Sequence, residues 1–228
     1  MFRPPSRHAF TLIEMITVIA IIAILAGLVL SINGVVQRKA GTARAETEIR
    51  TLSAGCEAYK TDNGGYPRAA IKDDPVGNYS SDTDKLDPVV DFNSAPPPPP
   101  SYPPTKYSTA SVVLYKALSG DTDANGQIDT ATETGKNYVP DFFKPSRLGG
   151  YDKTTGTFPK GVVYIRDPFG NVYGYSTAGL KAEQDFRVGL TTDPTAKRTS
   201  AGYNSTFDLW STGGQSSSTG TPKWVKNW

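Results

Sequence analysis

HAFTLIEMITVIAIIAILAGLVLSI, residues 8 to 32, is an apolar run that carries a single carboxylate, Glu14, close to its start. About 20 apolar residues suffice for a helix to cross a bilayer, but an acid within the run costs about 2.5–3.5 kcal/mol on insertion scales. Something must offset that cost. An ordinary secretory signal has a shorter apolar core followed by a small-residue cleavage site, and no acid in the core. Here a short basic leader with Arg3 and Arg7 comes first, then the small residue Ala9, and Phe10 opens the run.

The order small, Phe, Thr, Leu, any, Glu, carried by Ala9, Phe10, Thr11, Leu12 and Glu14, resembles the prepilin peptidase site of type IV pilins and type II secretion pseudopilins. The resemblance implies that residues 1–9 are a leader cut on the cytoplasmic side between Ala9 and Phe10. Phe10 then becomes the methylated N-terminus, Glu14 the fifth residue of the mature chain, and the apolar segment is kept. Ala9 stands where the family usually has Gly. In an assembled bundle Glu14 is placed to pair with the positive N-terminal amine of a neighbouring helix, which removes two buried charges together. A plain signal anchor with Glu14 at headgroup level is the alternative.

The apolar residues of this 228-residue chain are concentrated in the first 32, leaving a polar, Gly- and Pro-rich remainder that fits one domain behind an anchor. A net charge of +2, with no basic stripe interleaved with aromatics, excludes nucleic acid as an expected partner. Cys56 is the only cysteine, so the chain forms no internal disulfide and no thiolate metal site; a buried small apolar role is expected for it. The one histidine, His8, falls in the leader, so Ser-His and Cys-His catalysis are not expected, nor is an enzyme. Arg3 and Arg7 precede the span, while Arg38, Lys39 and Arg44 follow it, so charge does not choose an orientation. The resemblance implies a cytoplasmic N-terminus and a periplasmic head, in a single-pass inner-membrane protein that later joins a periplasmic filament.

No proline follows the span until Pro67. Ile49, Leu52, Cys56 and Tyr59 fall at helical spacing on one face, and Arg44, Glu46, Glu48, Arg50, Glu57 and Lys60 are assigned to the solvated side. One helix is expected from about Phe10 to about Thr61, with 10–32 as the membrane or filament-core part and 33–61 as its amphipathic continuation. Ala20, Ala23, Gly27, Gly34 and Gly41 form a line of small residues suited to close helix approach. Asn33-Gly34 is the weakest point, glycine costing about 1 kcal/mol against alanine.

The helix is expected to stop at YKTDNGGYPR, residues 59–68, where Asn63, Gly64 and Gly65 supply a left-handed end and Pro67 blocks continuation. Tyr59, Lys60, Asp62, Asn63, Gly64, Tyr66 and Pro67 resemble the Y-K-x-D-N-G-x-Y-P string of major pseudopilins of type II secretion systems. DPFGNVYGY, residues 167–175, resembles that family's D-P-W-G-N hairpin with Phe169 in place of Trp. FDLWSTGG at 207–214, with the final Asn227-Trp228, resembles its closing segment. A short helix is expected at 111–120 and strands at 162–166, 172–176 and 206–211, giving an α+β head over 62–228, a small antiparallel sheet packed on the long helix. Insertions are placed at 69–110 and 177–203. The first holds APPPPPSYPP, residues 95–104, which favours polyproline II and reads as a stiff surface insertion, with an SH3-type or WW-type ligand as the alternative.

GDTDANGQID, residues 120–129, alternates oxygen side chains around a glycine. Asp121, Asp123, Asn125 and Asp129, with the backbone carbonyl of Gln127, form a candidate Ca²⁺ ligand set, and Gly126 permits the sharp turn. The twelfth position of an EF-hand, a bidentate Glu, is Thr132 here, with Glu133 one later. An isolated calcium loop or a solvated, metal-free Asx turn are the two readings. The resemblance implies a calcium site after the F-D-L-x-S-x-G segment, but that loop, GGQSSSTGTPK at 213–223, has no carboxylate.

The resemblance implies a structural subunit that polymerises into a periplasmic pseudopilus driving type II secretion. Its partners would be copies of itself, the prepilin peptidase, minor pseudopilins, the inner-membrane assembly platform and the membrane. A surface type IV pilin and a membrane-tethered periplasmic binding module that never polymerises are the alternatives.

Overall fold

The computed structural model describes residues 10–68, 83–88, 106–129, 133, 135–214 and 224–228; within these, the side chains of residues 28–33 and 106 are outside the description. The leader with Ala9, the polyproline run and most of the loop at 213–223 therefore lie outside the described residues. The chain is α+β, with one long N-terminal helix and small antiparallel sheets, as a pilin-like fold requires. It divides into two units, residues 1–40 and 41–228.

Helix α1 runs Leu12–Asn63, within two residues of the expected span at each end. In the first unit its described apolar side chains, including Ile13, Ile16, Ile19, Ile22 and Leu25, are exposed all around the helix. A helix that is apolar on every side requires cover from lipid or from other chains. Among the described residues no helix is long and apolar enough to cross a membrane; in the sequence the apolar run continues through residues 28–32.

In the second unit, Ala45, Ile49, Leu52 and Cys56 are buried along one face of α1, with Tyr59 half-buried beside them. They join Leu114 and Leu118 of helix α2 (Lys106–Ser119) and Ile165, Tyr173, Tyr175 and Leu209 in the main core. Glu48, assigned by its charge to the solvated side, is buried instead. It lies three residues after Ala45 and four before Leu52, so helical geometry places it on the packed face.

The strands are shorter than their apolar runs. Strand β1 (Leu148–Gly149) pairs with β2 (Tyr164–Ile165), and β3 (Gly174–Ser176), β4 (Asp208–Ser211) and β5 (Val225–Lys226) form an antiparallel sheet in that order. The bridge Arg166 to Val172 closes the β2–β3 hairpin, and the Gly170 amide donates to the Asp167 carbonyl at 3.0 Å, the expected turn at 167–170. Alternation sends Ile165, Tyr173 and Leu209 into the main core and Tyr164, Val172 and Trp210 into a second cluster with Tyr107 and Trp224. The expected helix at 111–120 begins earlier, at Lys106, and the segment 177–203 contains helix α3 (Ala178–Thr192), which had not been anticipated. Only Ala178, Gly179 and Ala182 of α3 are buried, so it offers no apolar stripe to read.

Gly174 lies under the indole of Trp210, its partner across β3–β4; a Cβ there would come within 2.0 Å of the ring. Gly174→Ala is expected to lower stability by about 1–3 kcal/mol, the usual cost of overpacking a full core. A denaturation midpoint equal to that of the parent would contradict this packing.

Candidate functional site

The N-terminal end of α1 is built by a local reciprocal cap. Thr11, just before the helix, donates its backbone N–H and its hydroxyl to Glu14 Oε2 at 2.7 and 2.8 Å, and the Glu14 amide donates back to Thr11 Oγ1 at 3.3 Å. Thr-x-x-Glu is the capping-box pattern, visible in the sequence and overlooked there in favour of a pairing between chains. Both hydrogen bonds from Thr11 to the Glu14 carboxylate use Oε2. Phe10 precedes the cap and is exposed.

The string at the far end of α1 is held by side chains of the head. Asn63 donates to the Tyr59 carbonyl and to the Tyr138 hydroxyl, both at 2.9 Å. Lys136 pairs with Asp62 at 2.8 Å, and Tyr59 meets Tyr138 edge to face. Gly64, at φ +77°, donates to the Lys60 carbonyl and ends the helix. The Tyr66 hydroxyl donates to Glu57 at 3.0 Å and receives from Lys60 at 3.1 Å, while the Pro67 carbonyl accepts from Tyr175. These residues fasten the helix end to the head.

The acidic loop follows α2 directly. Asp121, fully buried, accepts from the Tyr115 hydroxyl at 2.6 Å and from the amides of Gly126 and Asn125 at 2.8 and 3.2 Å. Gly126, at φ +90°, also leaves room for the Phe158 ring, which a Cβ would strike at 2.2 Å. Asp123 accepts from the Asn125 amide and side chain at 2.9 and 3.0 Å, and the Asn125 side chain also reaches Asp129 at 3.3 Å. The Gln127 amide donates to Asn125 Oδ1 at 2.7 Å.

Glu133 is the residue the sequence reading set aside. Its carboxylate turns back over the loop and accepts from Thr122, Asp123 and Asp129 amides. Oxygens of Asp121, Asp123 and Glu133 lie within 4.8 Å of one another; Asp129 is not in this group. Glu133 comes one position after the twelfth of an EF-hand loop, and its amide donates to the Asp129 carbonyl at 2.8 Å, which holds it against the loop. Burial pushes the Asp121 carboxyl above the ordinary range, against the pull of its Tyr115 and Gly126 hydrogen bonds. The Asp129 amide holds Glu133 below it, opposed by burial and aided by Thr122. All candidate donors are oxygens, four of them carboxylate groups of which three converge, which is the chemistry a hard cation takes.

The chain matches the prokaryotic N-terminal methylation motif over residues 4–30, which spans Ala9, Phe10, Glu14 and most of the apolar run. No curated protein and no solved structure matches the chain. Its N-terminal segment is therefore that of a pilin-like prepilin, a class marked by peptidase processing and pilin-type polymerisation.

Proposed function

We propose that the protein is a structural, non-catalytic filament subunit, the major pseudopilin of a type II secretion system. The observation that carries this reading is the methylation motif set on a helix that is apolar all round and capped at Glu14. The helix-end and hairpin strings in the head support the secretion assignment over a surface fibre. In this reading the precursor sits in the inner membrane with residues 1–9 cytoplasmic and the head periplasmic, and subunits leave the membrane as their helices bundle. The loop at 121–133 holds Ca²⁺ through Asp121, Asp123 and Glu133, with Asn125, Asp129 and the Gln127 carbonyl around them; the ion would tie the loop to its flanks and take no part in catalysis.

Deleting the gene is expected to stop export of type II secretion substrates while surface fibres persist. Loss of sheared surface fibres with secretion intact would assign the protein to a surface pilus instead. Intact mass of membrane-extracted protein is expected to show loss of residues 1–9 and one added methyl group on Phe10. Retention of Met1 would defeat the processing assignment.

A further inference from the structure

Gly41, Glu48 and Gly55 are spaced seven apart and so share one face of α1 within the head. The head fills each differently. The Phe169 ring seats over Gly41, where a Cβ would lie 2.9 Å from it, and Val139 seats over Gly55, where a Cβ would lie 2.6 Å from Cγ1. Between these two notches, buried Glu48 accepts from the Tyr173 hydroxyl at 2.9 Å and pairs with Arg147 at 3.3 Å and, more loosely, with Arg44 of its own helix at 3.8 Å.

We propose that Glu48 is the register pin of α1, setting where along the helix the head is seated while adding little to stability. Apolar contacts alone specify this poorly. A slide of seven residues would bring Leu52, Cys56 and Tyr59 to the places of Ala45, Ile49 and Leu52, all apolar, and Gly55 to the place of Glu48. Besides Glu48, polar resistance arises near the helix end, where Asn63 would take the place of Cys56 and leave Tyr138. Glu48 would then meet the Phe169 ring and Asp62 would meet Val139. Glu48 opposes the slide twice, because its departure also strips Arg147 and Tyr173 of their carboxylate. Buried ion pairs seldom contribute net stability over an apolar replacement, yet each alternative arrangement leaves a charge unpaired, which is how such groups specify one packing.

The test uses the full chain in detergent, with Cys56→Ala to remove the native thiol. The Phe169 ring tip, not its Cβ, meets Gly41, so Gly41→Cys with Phe169→Cys reports the native register as an intrachain bridge through a short bis-methanethiosulfonate, joined by a disulfide at each end. A seven-residue slide moves the partners apart by roughly 10 Å at about 1.5 Å per residue, beyond the reach of that bridge. Into this background go Glu48→Met, Arg147→Met and Tyr173→Phe together, which removes the polar latch and leaves only the solvent-exposed Arg44 without its partner. Expected is cooperative melting near the parent temperature with a several-fold fall in the bridge yield. An undiminished yield overturns the proposal. Loss of cooperative melting overturns it too, by showing that the latch supplies stability and not register.

Discussion

Glu14→Ala is expected to accumulate in the membrane and form no filaments. Removing the acid lowers the insertion cost by about 2.5–3.5 kcal/mol, so the precursor gains in the membrane what it loses in assembly. The same change removes the two hydrogen bonds from Thr11 to the Glu14 carboxylate while leaving the amide of residue 14 on Thr11 Oγ1, and the two effects need separating. Thr11→Ala removes most of the cap while keeping the carboxylate. It is expected to assemble, since the pairing with a neighbouring amine survives. Cross-linked polymer at parent levels from Glu14→Ala would show that the acid serves only its own helix. Failure of Thr11→Ala to assemble would place the defect in the cap.

Millimolar Ca²⁺ is expected to raise the melting temperature of the head in metal-stripped protein. A ligand bound only by the folded state contributes about 2.7 kcal/mol at about a hundredfold excess over Kd. Mg²⁺ should do much less, because it demands tight octahedral geometry and gives up water reluctantly. Asp121→Ala also strips Tyr115, Asn125 and Gly126 of an acceptor, so the quantity to read is the calcium-induced gain and not the melting temperature itself. That gain should vanish in Asp121→Ala with Asp123→Ala. It should fall further in Glu133→Gln than in Asp129→Ala, because Glu133 and not Asp129 converges with the other two carboxylates. A melting temperature indifferent to calcium leaves the loop as a hydrogen-bonded turn.

The long helix was legible because its signals are local: an uninterrupted span before Pro67, a 3.6-residue stripe from Ile49 to Tyr59, and a glycine stop at Gly64. The three longer apolar runs each held a strand for the same reason. Strands β1 and β5, two residues each, carry no period that a reader could detect. Helix α3 was hidden by small buried residues, Gly179 meeting the backbone of Asn204 so closely that a Cβ would lie 1.9 Å from its carbonyl oxygen. In the acidic loop, alternate oxygens could be read directly, whereas the place of Glu133 depends on its backbone bond to Asp129, which no spacing rule announces. Glu48 was misplaced by chemistry, since its charge argued for solvent while its position argued for the core. Gly41, counted among residues for helix-to-helix approach, instead receives Phe169 of its own head.

The grip of the head on α1 has a mechanical meaning. Phe169 at Gly41, Arg147 and Tyr173 at Glu48, Val139 at Gly55 and Lys136 at Asp62 are laid out along the helix axis. A pull along that axis loads them in shear, all at once, whereas a pull across it would peel them apart one by one. Force that enters the head through residues 41–62 of α1 would thus be shared by every contact from Gly41 to Asp62.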